Sequence, residues 1–232
     1  MDNMLFSILN GGRLSFLQIV MNIIAVLVIV LVVLPFHELA HGYVAYKLGD
    51  DTAKRQGRLT FNPMAHLNPI GALCLFFVGF GWAEPVPVNM FKLRHPKRDM
   101  ALVALAGPCA NIIAALIGAL LSDLWTVLLL MRFGDTMWYQ AVEFFFEYYV
   151  SVNVGLAVFN LIPLPPLDGS KILGAFLPDD IYEKQLMHEQ QLSWILVALI
   201  VFGIVDKIIA LPETFLLTFV YFVAGLPFRP FM

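Results

Sequence analysis

His37, Glu38 and His41 stand together in the stretch HELAH. Residues four apart on a helix share a face, one turn from each other. Two imidazoles so placed can reach one Zn2+, while the glutamate between them takes a proton from water activated by the metal. That is hydrolytic chemistry. Immediately upstream, the 21 residues from Phe16 to Phe36 carry no charged side chain. About 20 apolar residues cross a bilayer as a helix, so the motif stands at the end of a membrane span. Protonatable side chains are costly there unless paired or metal-bound, which weighs against two unrelated histidines.

A catalytic zinc takes three protein ligands and leaves one position open. His66, His95 and His188 lie in polar, loop-like stretches. Asp168 ends FNLIPLPPLDG, directly after the apolar run Tyr148–Leu167. Pro163, Pro165 and Pro166 break a helix at that point, and Gly169 permits a tight turn. From spacing alone Asp168 is equally a third ligand or the cap of the following helix.

The elements that must position these residues are membrane helices. Of 232 residues 60% are hydrophobic and 13% charged, with a mean hydropathy of +0.81. Soluble domains carry roughly 25% charged residues. The composition therefore predicts an all-α polytopic membrane protein whose main partner is the lipid bilayer. The net charge of -3 and the lack of a basic tract give no sign of nucleic-acid binding. Cys74 and Cys109 lie in apolar surroundings outside any CxxC pattern, so they read as packing residues. The run from Phe16 is too long for a signal-peptide core and leads straight into the polar motif, so it reads as a retained span.

About five to six transmembrane helices are expected. The first runs from Phe16 through HELAHGYVAYKL, the second covers Met100–Leu121, and the third covers Tyr148–Leu167, entered from Trp138. Leu192–Val205 and Thr214–Phe228 are shorter runs on either side of Asp206, Lys207, Pro212 and Glu213, which predicts a closing hairpin turned at those polar residues. Pro69–Trp82 has 14 residues and three glycines, a length that fits a re-entrant element better than a span. If it does not cross, all basic residues except Arg13, Arg132 and Lys207 collect on one side. The positive-inside rule favours that arrangement and makes the HELAH end cytoplasmic. GWAEPVPVNMFKL, from Gly81 to Leu93, alternates and is rich in Val and Pro, as an edge strand or short hairpin is. An open edge there can hold an extended peptide. Glu143 and Glu147 read as interfacial, and Glu84 as solvated.

HELAHG together with NLIPLPPLDG resembles the site-2 protease family of intramembrane zinc metalloproteases, in its compact bacterial branch without PDZ or CBS domains. The likeness runs from about Phe16 to Gly169 and includes KLGDDTAKRQGRLTFNPMAHLNPIG, GWAEPVPVN and ALAGPCAN. It implies that His37, His41 and Asp168 hold one zinc per chain and that Glu38 is the general base and then the proton donor. It implies that Asn160 positions substrate or stabilises the oxyanion. Gly107 and Asn111 match the family's small-residue and asparagine motif on the middle core helix. The implied reaction is peptide hydrolysis within or near transmembrane segments of membrane proteins, as in regulated intramembrane proteolysis. The implied location is the inner (plasma) membrane, with a multi-pass chain and the active site toward the cytoplasm. The chain is expected to form a single membrane-embedded domain over 1–232, with a core at about 16–177 and a C-terminal hairpin at about 190–228. No internal loop approaches the roughly 100 residues of a regulatory domain. A membrane metal transporter or an inactive scaffold would share the HExxH pattern. The absence of an internal repeat argues against the first, and the intact Glu38 against the second.

Overall fold

The computed structural model describes residues 16–78, 84–130 and 136–229. One long helix opens it, made of α1 (Phe16–Val28), a π-helical segment (Ile29–Val33) and α2 (Leu34–Lys47). The span Ile19–Lys47 has 29 residues, about 44 Å at 1.5 Å per residue, against roughly 30 Å of hydrocarbon. His37 therefore lies about 27 Å along it from Ile19. α3 (Thr52–Arg55) and a 3-10 turn (Pro63–Ala65) follow in the polar loop.

α4 (Pro69–Val78) is the described part of the element expected to be re-entrant. Its 10 residues measure about 15 Å, half the hydrocarbon thickness. α5 (Pro96–Trp125) continues into a π-helical segment (Thr126–Leu130). α6 (Met137–Asn160) begins at the cap Thr136, whose side chain accepts from Tyr139 N. It ends ahead of Pro163, as the steric demands of proline on the preceding residues require. α7 (Asp168–Gly174), α8 (Asp179–Met187), α9 (Glu189–Val201) and α10 (Ile204–Gly225) complete the order.

Among the described residues four helices are long and apolar enough to cross a membrane: Ile19–Lys47, Pro96–Leu128, Met137–Asn160 and Ile204–Gly225. α9 is a shorter apolar helix paired with α10. The hairpin turns at Phe202–Gly203, earlier than the polar residues around 206–213 suggested. Gly203 takes a left-handed conformation (φ 64°), which an L side chain resists. Asp206 then lies in the first turn of α10, where the helix dipole favours an acid. Pro212 is carried inside α10 at the loss of one backbone bond.

The described part of the expected strand, Glu84–Asn89, is neither helix nor strand, and a 3-10 turn at Met90–Lys92 follows it. Its first residues, 81–83, lie outside the described set. Pro85 and Pro87 have no N–H to give to a ladder. Three of the four remaining donors go elsewhere: Glu84 N to His66 O (2.7 Å), Val86 N to Glu38 Oε2 (2.8 Å) and Asn89 N to Asp50 Oδ2 (2.6 Å). The segment is thus a strap tied across the end of α2. Arg58 holds its outer side through the carbonyls of Glu84 and Pro85.

α5 is the central helix and packs against α2, α6, α7 and α10. Lipid tails are as apolar as leucine, so helices in a membrane associate through close packing rather than hydrophobic expulsion. Small residues supply that closeness. Ala115 and Ala119 meet Val150, Val154 and Val158 of α6 and Val220 and Ala224 of α10. A methyl on Gly118 would come within 2.6 Å of the Tyr149 ring. Val26, Ile29, Val30 and Val33 pack on Val152.

Asp50 is fully buried, and its two oxygens hold Thr52 N, Thr52 Oγ1 and Asn89 N. Asp50→Ala orphans these donors. It is expected to cost about 1–3 kcal/mol, seen as a lower unfolding midpoint in detergent and faster proteolysis of the strap.

Candidate metal centre

α2 presents His37 and His41 toward α5, both over nine-tenths buried. Asp168 enters from the first position of α7 and is equally buried. His37 Nε2 and His41 Nε2 lie 3.0 Å apart, and Asp168 Oδ2 is 3.4 Å from the first and 3.2 Å from the second. A tetrahedral centre with bonds of about 2.05 Å separates its donor atoms by roughly 3.3 Å. The three distances match three edges of that tetrahedron, so the group can hold a metal ion.

The opposite ring nitrogens are both engaged by α5. His41 Nδ1 is 2.7 Å from the carbonyl of Val103, and His37 Nδ1 is 2.8 Å from Asn111 Oδ1. Nδ1–H donated to an oxygen leaves Nε2 as a lone pair, the form a metal requires. Lys171 Nζ stands 3.5 Å from the other Asp168 oxygen, Oδ1, and sets a positive charge beside the carboxylate.

Gly107 forms the floor of the centre. A Cβ there would lie 2.4 Å from His41 Nε2 and 2.5 Å from His37 Nε2. Close helix approach is only part of the reason for a glycine. The space beside the donor atoms exists because position 107 has no side chain. Gly169 acts differently, since a methyl there would strike the carbonyl oxygens of Leu161 and Ile162 at 2.2 and 2.4 Å. That contact seats the start of α7 on the end of α6.

Glu38 is half-buried one residue along, its carboxylate accepting from Val86 N. Gly42 makes room for the strap, with Val86 Cγ1 at 3.0 Å from where its Cβ would stand. A cavity of about 350 Å³ joins His37, Glu38 and His41 to Val86, Val88, Asn160 and Asp168. Asn160 borders it from the last turn of α6, its amide nitrogen donating to Leu156 O at 3.0 Å. The other histidines stay apart. His66 is buried in the loop, 2.8 Å from Thr60 O, and His188 bonds its own helix. Both cysteines are free. Val103 was not visible as a site residue, because it acts through its backbone carbonyl.

Peptidase family M50 matches residues 122–204, which include Asn160 and Asp168. YwhC of Bacillus subtilis (strain 168), named as a zinc metalloprotease, is 43% identical over 178 residues, covering 75% of this chain and 79% of the relative. MJ0611 of Methanocaldococcus jannaschii, named likewise, is 28% identical over 138 residues, 60% of this chain and 63% of its own. Rip2 of Mycolicibacterium smegmatis is 28% identical over 140 residues, and the match spans about half of it (49%). No solved structure matches significantly. The chain belongs to peptidase family M50, the site-2 protease family.

Gly107→Ala places a methyl on the donor atoms. It is expected to abolish divalent-metal binding, read as metal per chain in purified protein, while the helical circular dichroism stays unchanged.

Proposed function

We propose that this protein is an intramembrane zinc endopeptidase that hydrolyses peptide bonds within or near transmembrane segments of membrane proteins. The observation that carries it is the triangle of His37 Nε2, His41 Nε2 and Asp168 Oδ2, with edges of 3.0–3.4 Å, beside the carboxylate of Glu38. Membership of a peptidase family and relatives named as zinc metalloproteases support the same function. His37, His41 and Asp168 are the proposed ligands of one zinc per chain.

When bound, zinc supplies a Lewis acid that polarises a carbonyl and acidifies water. Glu38 then acts as the general base, taking a proton from the attacking water and returning it to the leaving amine. The Val86 N–H steadies the carboxylate while leaving its second oxygen for the proton. Asn160, at the cavity wall, is placed to hydrogen-bond the substrate carbonyl or the charge that develops on it. A helical substrate hides its carbonyls in its own hydrogen bonds, so it must unwind near the scissile bond. The strap Glu84–Asn89 offers an edge to the unwound piece. Pro85 and Pro87 have no N–H and the Val86 N–H is held by Glu38, so the Val88 N–H is the donor the strap has for a substrate.

The chain acts as one membrane-embedded domain, with the core at about 16–177 and the hairpin at about 190–228. The basic loops gather on the side of the metal centre, knit together by Lys92–Asp51 and Lys97–Asp179 (2.9 and 2.8 Å). The positive-inside rule assigns that side to the cytoplasm of a plasma-membrane protein.

Glu38→Gln is expected to retain zinc and lose peptide hydrolysis by about 10²–10⁴-fold, measured on a transmembrane substrate in detergent or vesicles. Retained cleavage removes the general base. A metal carrier of the same fold would keep its transport in this variant. Asp168→Ala is expected to lose most of its zinc, and full retention would mean another residue completes the site. Val88→Pro tests the edge without touching the Glu38 contact: cleavage should fall with zinc in place, and unchanged cleavage removes the strap from substrate binding.

A further inference from the structure

We propose that Asn111 is a positioning residue that sets the tautomer of His37 for metal binding, an inference that rests on the zinc site proposed above. His41 Nδ1 faces the Val103 carbonyl at 2.7 Å. A carbonyl only accepts, so the ring proton of neutral His41 is on Nδ1 and its Nε2 is a lone pair. His37 Nε2 lies 3.0 Å from that lone pair.

His37 therefore has two choices. With its proton on Nε2 it donates to His41, and no lone pair of its own faces the centre. With its proton on Nδ1 it donates to Asn111 Oδ1 at 2.8 Å, and both Nε2 atoms are free to ligate. The partner of the outer nitrogen decides between the two. Asn111 is that partner. It is 1% exposed and comes from α5, one helical turn past Gly107.

The other end of the amide is informative. Asn111 Nδ2 is buried and has no hydrogen-bond partner among the described residues. An asparagine that served to tie helices would use both ends of its amide. Here only the oxygen is engaged, and it meets a proposed ligand. A carboxylate at this position would accept only, and would commit His37 to the ligand tautomer.

The test compares zinc affinity, by competition with a chelating dye, and the visible spectrum of the cobalt(II)-substituted protein. Wild type, Asn111→Leu and Asn111→Asp are purified as full chains in detergent. Asn111→Leu, which lacks the acceptor, is expected to bind zinc about 10–100-fold more weakly. Asn111→Asp, which keeps the acceptor, drops the unpartnered donor and adds a carboxylate charge, is expected to bind no more weakly than wild type, with the same cobalt bands. The proposal is overturned if Asn111→Leu binds within about threefold of wild type, below the usual outer-shell effect. It is also overturned if Asp and Leu weaken binding alike. Should the Leu variant not be recovered folded, Asn111→Asp decides alone: retained zinc with unchanged bands supports the proposal, and loss overturns it. A wild type that takes up no zinc fails the metal site itself, whereas loaded wild type beside equally loaded Asn111→Leu fails only the role of Asn111.

Discussion

Three electron-rich atoms held within 3.4 Å of one another, on side chains over nine-tenths buried, repel unless a positive charge lies among them. Nothing in α2 or α7 alone would keep them together. The convergence is imposed from α5, which supplies none of the three atoms. It provides the bare floor at Gly107 and the two oxygens that turn the imidazoles. The bundle can be understood as a means of pressing the helix of His37 and His41 and the short helix of Asp168 against the flat side of a third.

That pressing has to work where the solvent is lipid. The small side chains along α5 are the physical answer, since van der Waals contact is gained only when backbones come close. Alanines at 115 and 119 meet β-branched valines that hold one rotamer. Glycines at 107 and 118 admit imidazole and phenol rings. One stripe thereby serves two ends, gripping α6 and α10 at one level and housing the site at the other. On the loop side, Asp50 and Arg58 pin the strap.

Much of this could be read from the chain, and the limits have physical causes. HELAH is legible because helical periodicity turns a spacing of four into proximity. Asp168 stood out as a carboxylate after prolines that must end a helix, but periodicity cannot carry across such a break, so its approach to His37 needed three dimensions. Val103 was invisible because it contributes a carbonyl, which every residue has. The space that Gly107 opens is not legible, since a sequence does not say what a missing side chain makes room for. The polar residues at 206–213 point to a later turn than the one the backbone takes, because charge marks the start of a helix as readily as a turn. Asp206 and Lys207 suit the start of a helix, while Gly203 alone tolerates the left-handed backbone of the turn. The alternating strap looked like a strand, but three of its four N–H groups are spent on a glutamate, an aspartate and one loop carbonyl.

The level of the centre along α2, about 27 Å from Ile19 in a helix of about 44 Å, has a consequence for what leaves the enzyme. Under the proposed reaction, a span cut near one end of its hydrocarbon stretch divides unequally. The fragment on the strap side keeps too few apolar residues to stay anchored and passes into water. The other keeps nearly the whole stretch and remains in the bilayer. The position of three side chains along one helix thus makes the scission a sorting event, freeing one product and retaining its sibling, with no further machinery to separate them.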